Sequence, residues 1–120
     1  MTVVAAGDFA FADLPGRRSA DPLAGVGADS SVRIVELERT AARSAHRHPL
    51  SEEIVYVVSG EGRVWIDGVW RPVSRGDIVH IAAGAAHATV PAAGSAMRLV
   101  CFFPHPDLGE NLEPSDIQVT

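Results

Sequence analysis

Two histidines one residue apart, followed closely by two glutamates, form the most reactive stretch of this chain: "AHRHPLSEE", residues 45 to 53. On an extended strand, side chains two apart face the same way, so His46 and His48 project together while Arg47 points to the other face. Pro49-Leu50-Ser51 can turn the chain, and the next strand begins at Glu52 or Glu53. If that strand returns antiparallel, one carboxylate comes back to the side of the imidazoles. A third imidazole, His87, follows the glycine turn in "AAGAAH". Three imidazoles and a carboxylate converging in this way make a nitrogen-rich site for a divalent transition metal. Taken alone, the two histidines fit exposed residues beside a turn equally well, so the elements that position them have to decide.

Those elements are strands. No window of a dozen residues repeats its apolar positions at the helical period, whereas short β-rich runs bounded by turn residues recur. "SVRIVEL" (31 to 37), "EIVYVVS" (53 to 59), "GDIVHIAAG" (76 to 84) and "AMRLVCFF" (96 to 103) read as strands. "RVWIDGVWRPV" reads as a hairpin around Asp67-Gly68, a pair suited to the positive backbone angles of a tight turn. Many short strands with almost no helix predict a sandwich or small barrel. Residues 1 to 30 read as an N-terminal arm, loose from residue 12 onward, 31 to 104 as the barrel, and 105 to 120 as a polar tail packed on or extending from it, within a single domain.

With these elements in place, the chain resembles the cupin superfamily. "HRHPLSEEIVYVVSG" supplies His46, His48, a glutamate after four residues and Gly60 after six more; "GDIVHIAAGAAHATVP" supplies Gly76, Gly84 and His87 in register. The resemblance selects Glu53 over Glu52 and implies His46, His48, Glu53 and His87 as ligands of one divalent metal per chain, whether iron, zinc, nickel or manganese. Three positions depart from the family pattern: Thr40 and Ala82 replace a glycine and a proline, and Pro91 replaces an asparagine. None of the three is a ligand in the family. The resemblance further implies an all-β double-stranded β-helix, or jelly-roll barrel, with the metal inside its mouth, and a homodimer. Across the superfamily such ligands serve dioxygenases, decarboxylases, lyases, isomerases and polyketide cyclases, so fold and ligands do not choose the reaction.

The remaining residues narrow the reading. All ten basic residues are arginines in a chain of net charge −5, and with no basic run it is a poor nucleic-acid binder. No apolar stretch approaches the roughly 18 residues of a membrane span, and no secretory signal opens the chain, so a cytoplasmic protein is expected. Cys101 is expected in the core, and so is His80, in the core or an interface rather than as a fifth ligand. Glu52 should reach solvent, and His105 should lie on the surface. Tyr56 is expected to pack with its hydroxyl bonded, and Trp65 and Trp70 to pair across the hairpin. Arg33, Arg43 and Arg98 are the candidates for holding an acidic substrate, although few charges are expected in the pocket lining as a whole. The expected function is a metal-dependent enzyme acting on a small oxygen-rich molecule, as a dioxygenase, lyase, isomerase or cyclase. The alternative is a non-catalytic module that binds a metabolite, sugar or metal.

Overall fold

A computed structural model describes residues 1–38 and 43–119; Thr40, the first departure from the family pattern, lies outside them. The described residues contain eleven strands and no helix. One sheet has six strands, β1 (Ala12–Leu14), β2 (Arg17–Ala20), β3 (Ser31–Leu37), β10 (Met97–Phe103), β5 (Glu53–Ser59) and β8 (Ile78–Ile81), adjacent in that order. The other has five, β11 (Glu113–Val119), β4 (Arg43–Arg47), β9 (His87–Pro91), β6 (Glu61–Ile66) and β7 (Val69–Ser74). All pairings are antiparallel, the arrangement of an all-β jelly-roll barrel.

Alternation along the strands builds the core. Val35 and Leu37 of β3, Val55 and Val57 of β5, and Met97, Leu99, Cys101 and Phe103 of β10 point inward with Val64, Val73 and Ile81. Burial of this apolar set is the main favourable term in folding. Cys101 is a buried free thiol, as expected. The β6–β7 hairpin closes through Asp67 and Gly68 at φ 44° and 90°, a two-residue turn whose hand matches the twist of its strands. It sets Trp65 opposite Trp70, and both pack against Ala88, Val90 and Val119. Gly60 precedes this hairpin at φ 84°, where an added Cβ would lie 2.1 Å from the Ala96 carbonyl oxygen; no other residue fits there without backbone movement.

The N-terminal arm departs from expectation. Residues 12 to 20 are not loose: β1 pairs with β2, and β2 pairs with β3 from Arg17↔Leu37 to Ala20↔Ile34. The polar tail, expected either packed on the barrel or extending from it, packs on it as β11 at the edge of β4. Backbone pairing at a sheet edge needs no hydrophobic run, and "ADL", "RRSA" and "EPSDIQV" carry none. Two inner strands, β4 and β9, were likewise unmarked by a β-rich run.

Candidate metal centre

The first two histidines reach the interior at the end of β4. His46 pairs directly with His87, the first residue of β9, and His48 is buried one residue beyond the strand. The histidine nitrogens that could serve as ligands all lie within 4.8 Å of one another. Glu53, the first residue of β5, is buried beside them, with Oε1 2.9 Å from His87 Nε2 and 3.3 Å from His48 Nε2. The structure therefore brings together all four residues singled out in the sequence.

Two of these side chains, His48 and His87, are aimed by a backbone contact. His48 Nδ1–H donates to the Asn111 carbonyl at 2.7 Å, and His87 Nδ1–H donates to the Ala85 carbonyl at 2.9 Å. A carbonyl only accepts, so both protons sit on Nδ1 and both Nε2 atoms present lone pairs to the centre. Yet His48 Nε2, His87 Nε2 and Glu53 Oε1 are all buried and make no hydrogen bond of acceptable geometry. Three inward-facing acceptors at this spacing repel one another and have lost their water. A shared cation resolves the conflict, and neutral imidazoles oriented through their other nitrogen are the usual form of histidine ligands. The donor set thus fits a divalent transition metal.

The electrostatics agree in direction. Burial lowers the His46 pKa to about 2, with His87 and His48 adding to the effect. Burial raises the Glu53 pKa; N–H groups of His48 and His87 would lower it, but with both protons on Nδ1 their bare Nε2 atoms cannot, so a cation is what would hold this carboxylate ionised. Burial, with Glu53 adding to it, pushes the Cys101 thiol up, so it stays protonated and unreactive.

Two supporting residues lay outside the sequence argument. Asn111, in the tail, is buried; besides receiving His48 on its carbonyl, its side chain accepts from Leu50 N and donates to Ser51 Oγ, both at 2.8 Å. It fixes the turn between the two histidines and Glu53. Asp67 does the same for His87: its carboxylate accepts from Ala86 N at 3.0 Å and its amide donates to Ala86 O at 2.9 Å. A lone asparagine in a polar tail carries no signal, and Asp67 is legible only as a turn residue. The turn before His87 forms without the family's proline. Ala85 N bonds Ala82 O, and Gly84 adopts φ 79°, as the third position of a type II turn requires.

Other expectations fare differently. Glu52 does reach solvent, where it meets His80 at 3.2 Å. His80 is therefore on the exterior, neither in the core nor near the metal ligands, because parity on β8 turns it outward opposite Ile54. Tyr56 likewise faces outward, 46% exposed, and has no hydrogen bond among the described residues. His105 is at the surface, beside Asp107. Arg98 lies on the outer face of β10 near the Phe11 ring. The pocket is less apolar than expected. A cavity of about 50 Å³ beside the ligands is walled by Val35, Leu37, Val55, Ile81 and Leu99, but Arg33, Arg43 and Arg17 also line it. Arg33 and Arg43 had been singled out; Arg17 was hidden in the supposed arm.

The chain belongs to the cupin domain family, whose model matches residues 33–103. Solved cupin folds align over nearly all of it. They include KdgF from Halomonas sp. (23% identity, 89% of this chain and 96% of that one, TM-score 0.72). The polyketide cyclase RemF from Streptomyces resistomycificus aligns at 19% identity over 98% and 87% of the two chains, with a TM-score of 0.77. An oxalate decarboxylase from Lactobacillus farciminis, solved with formate, aligns at 20% identity, 95% of this chain and 34% of that one, TM-score 0.74. A search by sequence among curated proteins finds no match.

Proposed function

We propose that this cupin is a metal-dependent enzyme acting on a small oxygen-rich organic molecule, with His46, His48, Glu53 and His87 as the ligands of one divalent transition metal, whether iron, zinc, nickel or manganese. The observation that carries this reading is the convergence of three buried acceptors, His48 Nε2, His87 Nε2 and Glu53 Oε1, without hydrogen-bond partners, at the wall of a cavity. A metal held there supplies Lewis acidity toward a carbonyl or hydroxyl of the substrate and, if it is iron, redox chemistry with dioxygen. The protein's own part is to orient and to exclude water. Asn111 and Asp67 hold the ligand turns, and the valine and leucine wall forms the apolar side of the cavity. Glu53 is the only carboxylate in the lining, and its contacts with the imidazoles leave no second acid to serve as a general base. This favours reactions in which the bound substrate's own acidity is raised, as in isomerase, lyase, cyclase or dioxygenase chemistry on enols, diketones and hydroxy acids.

The test is a turnover screen of metal-loaded protein against such compounds, with dioxygen uptake and product mass as readouts. Conversion by the wild type and none by a His48→Ala variant is the expected result. Tight binding of a compound, unchanged on metal removal and without conversion, would replace this reading with a metabolite-binding module.

We also place the protein in the cytoplasm, where a lone thiol such as Cys101 stays reduced, and as a homodimer. Support for the dimer comes from the outer face of the six-stranded sheet. Ile34, Val100, Tyr56 and Ile78 form one cross-strand row there, with Ile78 70% and Phe102 39% exposed. A contiguous apolar face of this kind marks an interaction surface.

A further inference from the structure

Three half-buried arginines share the small cavity with His46, His87 and Glu53, and they lack the charged partners that desolvated guanidinium groups need. Arg33 points inward from β3, in phase with Ser31, Val35 and Leu37; Arg17 enters from β2 and Arg43 from the start of β4. Among the described residues, none of the three forms an ion pair. Arg33 donates only to Ser19 Oγ, at 3.1 Å, and Arg43 Nη1 is buried with no hydrogen-bond partner. Burial, followed by the charges of Arg33 and Arg43, lowers the Arg17 pKa, and burial lowers that of Arg43. The only carboxylate in the lining, Glu53, is held by the histidines. Arg18, the next residue along, shows the contrast. It faces outward and meets Asp13 at 3.3 Å and Glu36 at 3.5 Å. Outside, Arg18 is paired with carboxylates; inside, Arg33 feels the more distant charge of Asp21, and none of the three is paired among the described residues.

Like charges gathered at a desolvated wall cost stability unless an anion joins them. Space for one exists. A second cavity of about 350 Å³ opens beside the first and shares Arg17, Arg43, Ser44 and His46 with it. We propose that Arg17, Arg33 and Arg43 bind a carboxylate of the substrate, so that the enzyme acts on organic acids. The carboxylate enters the inner cavity between the guanidinium groups and the metal centre, and the body of the molecule fills the outer one. The guanidinium fork matches the two oxygens of a carboxylate, and the inner cavity has room for little more than such a group. This inference names the substrate class of the proposed enzyme and so rests on that reading, but the binding site itself does not require turnover.

Calorimetric titration of zinc-loaded and metal-free protein with glycolate, its neutral counterpart glycolamide, and inorganic phosphate tests it. Wild type is expected to bind glycolate at least about tenfold more tightly than glycolamide. Arg17→Gln and Arg43→Gln should each lose about 10–100-fold in glycolate affinity, while Arg75→Gln, at an exposed turn, behaves as wild type. Zinc content and melting temperature show whether each variant remains folded and loaded. Equal affinity for acid and amide, or full affinity in both folded variants, would overturn the arginine site and leave the metal reading standing. If zinc fails to bind while the metal-free protein keeps the arginine-dependent preference, the metal reading falls and the anion site survives. Phosphate bound more tightly than glycolate would overturn the carboxylate assignment.

Discussion

One wall of the inner cavity carries His46, His87 and Glu53, with His48 clustered beside them; another carries Arg17, Arg33 and Arg43. On the histidine wall, each buried ring whose bonding is seen has its outer nitrogen satisfied by a backbone carbonyl, so only the inward atoms lack a partner. On the arginine wall, the charges repel one another, and one buried guanidinium nitrogen has no hydrogen-bond partner among the described residues. The first arrangement is complete apart from a cation, the second apart from an anion. On the two proposals made above, the guests would sit at adjacent positions, a cation at one wall and an anion at the other.

The largest expected effect comes from removing the only anionic ligand. Glu53→Gln should weaken metal binding by more than the about 10–100-fold typical of outer-shell partners, measured by competition with a chelator; unchanged affinity would detach Glu53 from the centre. Asn111→Ala acts one step further out. It frees Leu50 N and Ser51 Oγ from their buried partner and should cost about 1–3 kcal/mol of stability, seen in denaturant unfolding, with metal affinity falling about 10–100-fold. A variant with normal metal affinity would reduce Asn111 to a packing residue.

Acidity separates the walls in another way. In the metal-free fold, His46 is held neutral down to about pH 2, whereas its ordinary value is 6.5. Between these values the unfolded chain binds the additional proton, so stability falls as the pH drops below about 6.5. Melting curves of metal-free protein from pH 7 to 4 check this, and a flat profile would contradict it. The arginines stay charged throughout that range and contribute no slope. The smallest effect is expected outside both walls: Arg98→Gln, on the outer face, should change stability by no more than about 0.5 kcal/mol and leave metal content unaltered.

The two walls also differ in how far they could be read from the sequence. His46, His48, Glu53 and His87 lie on or next to strands with strong turn punctuation, at spacings that strand parity and family resemblance can use. Strands β3 and β5 ran where their alternation placed them. Arg33 was a candidate, but its inward face became visible only with the burial pattern of β3. Arg17 could not be found at all, because β2 is a short polar strand held by backbone bonds to β1 and β3, and backbone bonding leaves no mark on side-chain type. Asn111 was hidden for a related reason: its carbonyl meets His48 across 63 positions, and the backbone of any residue could have supplied that bond. His80 is not in the core, because Glu52 beside it provides an exposed partner; its place on the outer face of β8, two residues from Ile78, fits the expected alternative of an interface position.

Everything on the histidine wall depends on a cation being held there. Elemental analysis of purified protein by plasma mass spectrometry, beside a His46→Ala variant of matched folding, tests this most directly. About one divalent transition metal per chain in the wild type, lost in the variant, is the predicted result. A wild-type protein that holds no metal after purification and reconstitution, while remaining folded, would contradict the account.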